Sequence, residues 1–183
     1  MDKYIQNSAI NGKLCRFNKK SVNIFITKIS AAIPETQKSD YYEIINRAAA
    51  IWNEFSPVTF LFTETQANAD IAVIWTKAGI KFEGMCKYRS IIASEIRSVT
   101  IEIGLPNPNS PKKIDRDTIL HTALHELGHS LGLGHGTNEN DVMFVPHTKT
   151  LSMPSDNDIA VLNFLYSNPA GMTMNTLDNK AFL

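Results

Sequence analysis

The order of strand-like and helix-like segments predicts an α/β or α+β domain built on one mixed sheet. Three observations carry this prediction. Short β-branched and apolar runs recur along the first 103 residues. Two stretches space their apolar residues at helical intervals, one between the first two runs and one after the last. A third helical stretch closes the patterned part of the chain. Strands that alternate with helices and then give way to them are the signature of one sheet covered by helices.

Residues 1–14 are polar and weakly patterned, and an arm on the surface is expected there. Residues 21–29 (SVNIFITKI) alternate and are rich in β-branched side chains, which predicts a first strand. Residues 31–38 contain Pro34 and polar groups and form a connection. Ser39 can cap a helix running to about Phe55, with Ile44, Ala48, Ile51, Trp52 and Phe55 on one face. Ser56 and Pro57 stop it. Residues 58–62 predict a second strand. Residues 70–75 (DIAVIW) predict a third, apolar enough to lie centrally in a sheet.

A loop is expected from Thr76 to Glu83. Residues 84–89 and 98–103 read as two more strands, and residues 91–96 fit either of them. Residues 105–113 (LPNPNSPKK) are rich in Pro and Asn and predict a surface loop. A helix follows from about Asp115 to Leu131, with Ile119, Leu120, Ala123, Leu124, Leu127 and Leu131 on its buried side. Residues 134–140 form a loop. Ser155, with Asp158 three residues on, opens a last helix. Ile159, Leu162, Phe164, Leu165 and Tyr166 give that helix an apolar face. Residues 167–183 are expected to form a loosely held tail.

Composition limits the possibilities. The chain has 183 residues, enough for one domain with a sizeable core. Lys plus Arg and Asp plus Glu number 18 each, so the net charge is zero and no nucleic-acid footprint is expected. No apolar run approaches the roughly 18 residues of a membrane span, and the first residues carry no signal-peptide pattern. Two cysteines, Cys15 and Cys86, are too few for a disulfide scaffold, and free thiols are favoured.

The chemistry is concentrated at residues 125–135, HELGHSLGLGH. His125 and His129 are four apart, so on a helix they share a face at roughly 5–6 Å between Cβ atoms. They can offer two imidazoles to one metal ion. Glu126 sits one position round, beside such an ion, where it can take a proton from water. Gly132 lets the chain leave the helix, and His135 returns as a third ligand. Three histidines and an open position are a catalytic zinc pattern. An HExxH alone arises often by chance in helices; the added glycine and histidine at fixed offsets make the signal specific.

Other stretches extend the pattern. Residues 16–26 (RFNKKSVNIFI), 51–60 (IWNEFSPVTF), 68–74 (NADIAVI), 141–146 (DVMFVP) and 155–166 (SDNDIAVLNFLY) together with the zinc motif resemble the matrixins, the matrix-metalloproteinase branch of the metzincins. The resemblance covers roughly residues 16–166. It implies an α+β, metzincin-like fold with a mixed, mostly parallel five-stranded twisted sheet, a backing helix, an active-site helix and a C-terminal helix. Residues 1–15 would then be an N-terminal arm and residues 167–183 a C-terminal tail. It also implies zinc ligands His125, His129 and His135, a general base Glu126, and a Met-turn residue Met143 forming a hydrophobic base under the ion. Position 121 would face the pocket for the side chain after the cut bond, with His121 making it shallower or more polar. An inward His121 bonded to backbone is the alternative.

Departures from the family bear on cofactors. The five histidines are His121, His125, His129, His135 and His147, and none precedes residue 121. The family's second, structural zinc site cannot then be built in the usual way, and its Asp/Gly-rich calcium loops have no counterpart. One catalytic zinc is expected, without structural zinc or calcium, as in a minimal, microbial-type member. The implied activity is a zinc-dependent endopeptidase in which Glu126 activates a zinc-bound water. A protein or peptide substrate would lie along an edge strand near residues 84–89, and the chain would act as a monomer. Localisation is not determined by the residues; the resemblance favours a secreted protein. Two other readings remain: a catalytically silent binding module that keeps the zinc fold, and a zinc hydrolase of a non-peptide amide.

Overall fold

A computed structural model describes residues 2–30, 33–77, 83–106 and 114–173. Its centre is a five-stranded sheet in the order β4-β3-β5-β7-β6. The strands are β3 (Ser21–Ile26), β4 (Thr59–Phe62), β5 (Ile71–Lys77), β6 (Gly84–Ile92) and β7 (Glu95–Leu105). A short hairpin of β1 (Ala9–Ile10) and β2 (Lys13–Leu14) precedes them. β3 pairs in parallel with β4 and β5, and β5 in parallel with β7; β6 runs antiparallel to β7 at the edge. The sheet is therefore mixed and mostly parallel, and DIAVIW is its middle strand. Alternation along β7 buries Val99, Ile101 and Ile103, as the two-residue period of a strand requires.

Among the described residues, four α-helices complete the fold: α1 (Asp2–Asn7), α2 (Glu35–Phe55), α3 (Arg116–Ser130) and α4 (Asp156–Ser167). α3 starts where Asp115 accepts a hydrogen bond from the Thr118 amide at 2.8 Å. α4 starts at Ser155, whose hydroxyl and the Asp158 carboxylate cap one another's amides reciprocally. α2 and α3 meet through Trp52, which is fully buried and donates its indole N–H to the Leu124 carbonyl at 2.9 Å. That bond fixes the helix carrying HELGH against the helix that backs the sheet.

Several boundaries differ from the sequence reading, each for a physical reason. α2 begins at Glu35, four residues before Ser39. Pro34 supplies the N-cap with backbone angles that need no side-chain cap, and its carbonyl accepts from the Gln37 and Lys38 amides. Residues 91–96 divide between both strands, because Ala93 and Ser94 adopt φ of 51° and 64° and close a two-residue hairpin. Such turns ordinarily contain Asn or Gly. Here the Arg16 amide donates to the Ser94 carbonyl and the Ile96 amide to the Arg16 carbonyl, so a neighbouring segment holds the turn. Most of the loop expected at residues 105–113 lies outside the described residues, as do residues 78–82 of the loop expected from Thr76 to Glu83; Leu105 itself ends β7.

The arm is not on the surface. Tyr4, Ile5, Leu14 and Cys15 belong to the core. The Tyr4 hydroxyl donates to Asp158 Oδ1 at 2.6 Å. A six-residue helix is too short to show a helical period, which is why residues 1–14 read as unpatterned. The start of the tail is also held: the Leu14 amide donates to the Met172 carbonyl and the Gly171 amide to the Leu14 carbonyl, both at 2.9 Å, and Lys13 bridges Thr173. Cys15 and Cys86 are free thiols.

Tyr4→Phe removes only the hydroxyl and leaves the buried Asp158 carboxyl short of one donor. A loss of about 1.5–3 kcal/mol is expected, read as a lower urea midpoint with an unchanged slope.

Candidate metal centre

α3 presents His125 and His129 one turn apart. Gly132 then ends the helix at φ 101°, a conformation that side chains resist, and the chain turns back to His135. One ring nitrogen from each of the three histidines lies within 4.8 Å of the other two. Ring centroids are 4.6 Å apart for His125 and His129, 4.9 Å for His129 and His135, and 5.6 Å for His125 and His135.

The nitrogens are oriented by what lies behind them. His125 Nδ1 donates to the Val142 carbonyl and His129 Nδ1 to the Leu133 carbonyl, both at 2.8 Å. Each ring therefore keeps Nε2 as a lone-pair donor for a cation, the usual backing of a metal-binding histidine. Burial lowers the pKa of all three, to about 4 for His129, with mutual repulsion adding to the effect. The rings are accordingly neutral at pH 7, the form that binds metal. Neutral imidazoles at this spacing suit zinc among the divalent cations.

Glu126 is buried beside them. Its Oε2 has no hydrogen-bond partner among the described residues. Burial pushes its pKa up to about 8, partly offset by a backbone hydrogen bond from Cys86. A cation held by the histidines would pull the other way and favour the carboxylate. With its pKa raised by burial, the carboxyl can take up a proton, and one oxygen is uncommitted among the described residues. Gly84 permits β6 to pass this close: a Cβ there would lie 2.9 Å from Glu126 Cγ and 2.6 Å from Thr122 Cγ2.

Met143 is fully buried under the same turn of α3. A Cβ on Gly128 would lie 2.4 Å from its sulfur, so the glycine inside HELGH is where the methionine fits. The segment holding Met143 is pinned from both sides. The Val142 amide donates to Asp158 Oδ2 at 2.8 Å, and Asp141 accepts from the Thr137 and Asn138 amides at 3.1 and 3.0 Å and from the Ser155 hydroxyl at 2.8 Å.

A cleft of about 760 Å3 opens over the centre. Glu83, Gly84, Met85, Cys86 and Tyr88 line one side, His125, Glu126, His129 and His135 the floor, and Val145, Pro146 and His147 the other side. Tyr88 donates its hydroxyl to the His129 carbonyl at 2.5 Å. That bond ties the edge strand to the metal helix.

The profile of the matrixin family matches residues 16–167. The chain belongs to the matrixins. It is 25% identical over 158 residues to the metalloendoproteinase 4-MMP of Arabidopsis thaliana, covering 79% of this chain and 45% of that one. It is 26% identical over 152 residues to matrix metalloproteinase-18 of Xenopus laevis, covering 76% and 32%. Metalloendoproteinase 1-MMP of Arabidopsis thaliana is 26% identical over 165 residues, covering 77% and 44%. This matrixin thus spans less than half the length of these relatives.

Two histidines of this matrixin occupy positions the motif does not explain. His121 is outside the cleft lining, 3% exposed, and its Nδ1 accepts from the Leu151 amide at 2.9 Å. That is the inward, backbone-bonded arrangement. His147, which sequence reasoning left without a role, stands in the cleft wall with Nδ1 3.1 Å from Glu83 Oε2. Tyr4, Asp141 and Asp158 were also missed as supports of the centre. Only Asp158 carried a signal, as the second half of a capping box.

Gly128→Ala sets a better helix former, worth about 1 kcal/mol, against overpacking onto a buried sulfur, which costs about 1–3 kcal/mol. Net destabilisation is expected. A lower melting temperature for Gly128→Ala, and a smaller drop from the same change made in a Met143→Ala background, would report it.

Proposed function

We propose that this matrixin is a zinc-dependent endopeptidase. The observation that carries the reading is the convergence of one ring nitrogen from each of three histidines, with Nε2 of His125 and His129 left free by their Nδ1 bonds, beside a buried carboxyl whose Oε2 is uncommitted among the described residues. His125, His129 and His135 would hold the ion. When bound, zinc supplies a Lewis acid that polarises a carbonyl and acidifies water.

The residues of the chain supply the rest. Glu126 is the proton carrier: its carboxylate takes a proton from the attacking water and delivers it to the departing amine. The low-dielectric surroundings that raise its pKa suit it to both steps. β6 binds substrate. It is an edge strand with β7 on one side, so an extended peptide can add as a further strand through backbone hydrogen bonds. Gly84 at the start of β6 keeps that peptide's scissile bond close to Glu126. Met143 and the Val142 peptide hold the floor rigid and contribute no proton. Val145, Pro146 and His147 form the facing wall and select side chains.

Glu126→Gln keeps size and polarity and removes the proton carrier. Its kcat/KM on a cleaved peptide should fall by about 10²–10⁴, while zinc content by elemental analysis stays that of the parent. Mapping cuts in a peptide mixture by mass spectrometry, with and without chelator, separates the readings. An uncut mixture would leave the silent binding module or the non-peptide hydrolase.

A further inference from the structure

α3 carries its histidines as two overlapping pairs at i, i+4: His121 with His125, and His125 with His129. His135 completes the second pair. The fold completes the first as well, with His147. Its ring centroid is 4.3 Å from that of His121 and 4.8 Å from that of His125. One nitrogen from each of His121, His125 and His147 lies within 4.8 Å of the other two, a limit the first triad also meets.

We propose that His121, His125 and His147 form a second, weaker seat for a borderline divalent cation such as zinc, sharing His125 with the first. Three further observations support it. His121 Nε2 is buried and has no hydrogen-bond partner among the described residues; a bound cation would satisfy it once the ring donates from Nδ1 to the Leu151 carbonyl, 3.3 Å away. His147 Nδ1 faces the Glu83 carboxylate, which in turn accepts from the Thr122 hydroxyl at 3.2 Å. A carboxylate behind a histidine orients the ring and strengthens the opposite nitrogen as a ligand. That opposite nitrogen, His147 Nε2, is 3.4 Å from His125 Nδ1.

The two seats compete because they use different nitrogens of one ring. His125 serves the first through Nε2 while Nδ1 holds the Val142 carbonyl. It serves the second through Nδ1 and gives up that bond. The first seat is therefore the tighter, and the second fills when the first has lost a ligand. The proposal stands on this geometry and not on the endopeptidase reading.

The test strips the full chain with a chelator and titrates it with Co2+, following ligand-field absorption and equilibrium dialysis. The parent should bind one ion tightly. His135→Ala, crippled only in the first seat, should still bind one Co2+ at least tenfold more weakly. Adding His147→Gln or His121→Asn should weaken it at least another tenfold and remove the tetrahedral absorption. His129→Ala is a second background for the same comparison, and circular dichroism identifies any variant that has not folded. Equal affinity with and without His147 in either folded background overturns the second seat. A parent that binds no Co2+ overturns the first seat, and the proposed function with it.

Discussion

The backbone of Val142 is the hinge of the structure. Its amide donates to Asp158 and its carbonyl accepts from His125, both at 2.8 Å. Through Asp158 it reaches Tyr4 and the cap of α4, and through His125 it reaches the metal centre. The two peptide groups that flank the Val142 Cα thus link the position of the C-terminal helix to the tautomer of a candidate metal-binding ring. Buried polar groups of this kind are costly when unpaired, so arrangements that break either Val142 bond are disfavoured.

That constraint explains the division of labour around the cleft. The floor is over-determined: Met143 fills the notch at Gly128, Asp141 ties the loop after His135, and Trp52 anchors α3 from its far side. The walls are less so. β6 is held by β7 on one side and by Tyr88 to the His129 carbonyl, leaving its other edge to pair with an extended chain. A rigid floor and an unpaired strand edge are what the proposed endopeptidase activity would need.

Legibility in the sequence followed the length over which each signal repeats. The five strands, α2, α3 and α4 were all readable, because each repeats its period or carries a local cap. The start of α2 was misplaced because Pro34 caps through the backbone. The Ala93–Ser94 hairpin was invisible because its left-handed turn is stabilised by Arg16, a segment distant in sequence. Tyr4 and Leu14 read as an arm because single anchors have no period. In the centre, His125, Glu126, His129 and His135 were legible from spacing, and His147 was not, since nothing local ties it to α3.

The sequence by itself determined the donor set, the helix that presents it and the strand order class, because i, i+4 spacing and alternation are local consequences of backbone geometry. Only the tertiary structure decided which nitrogen of each ring faces the centre, which carboxyl loses water and which distant residues join the site. Those depend on the Val142 and Leu133 carbonyls, on burial of Glu126 and on the approach of His147 to His121. Each is a contact between segments whose separation along the chain carries no information about their separation in space.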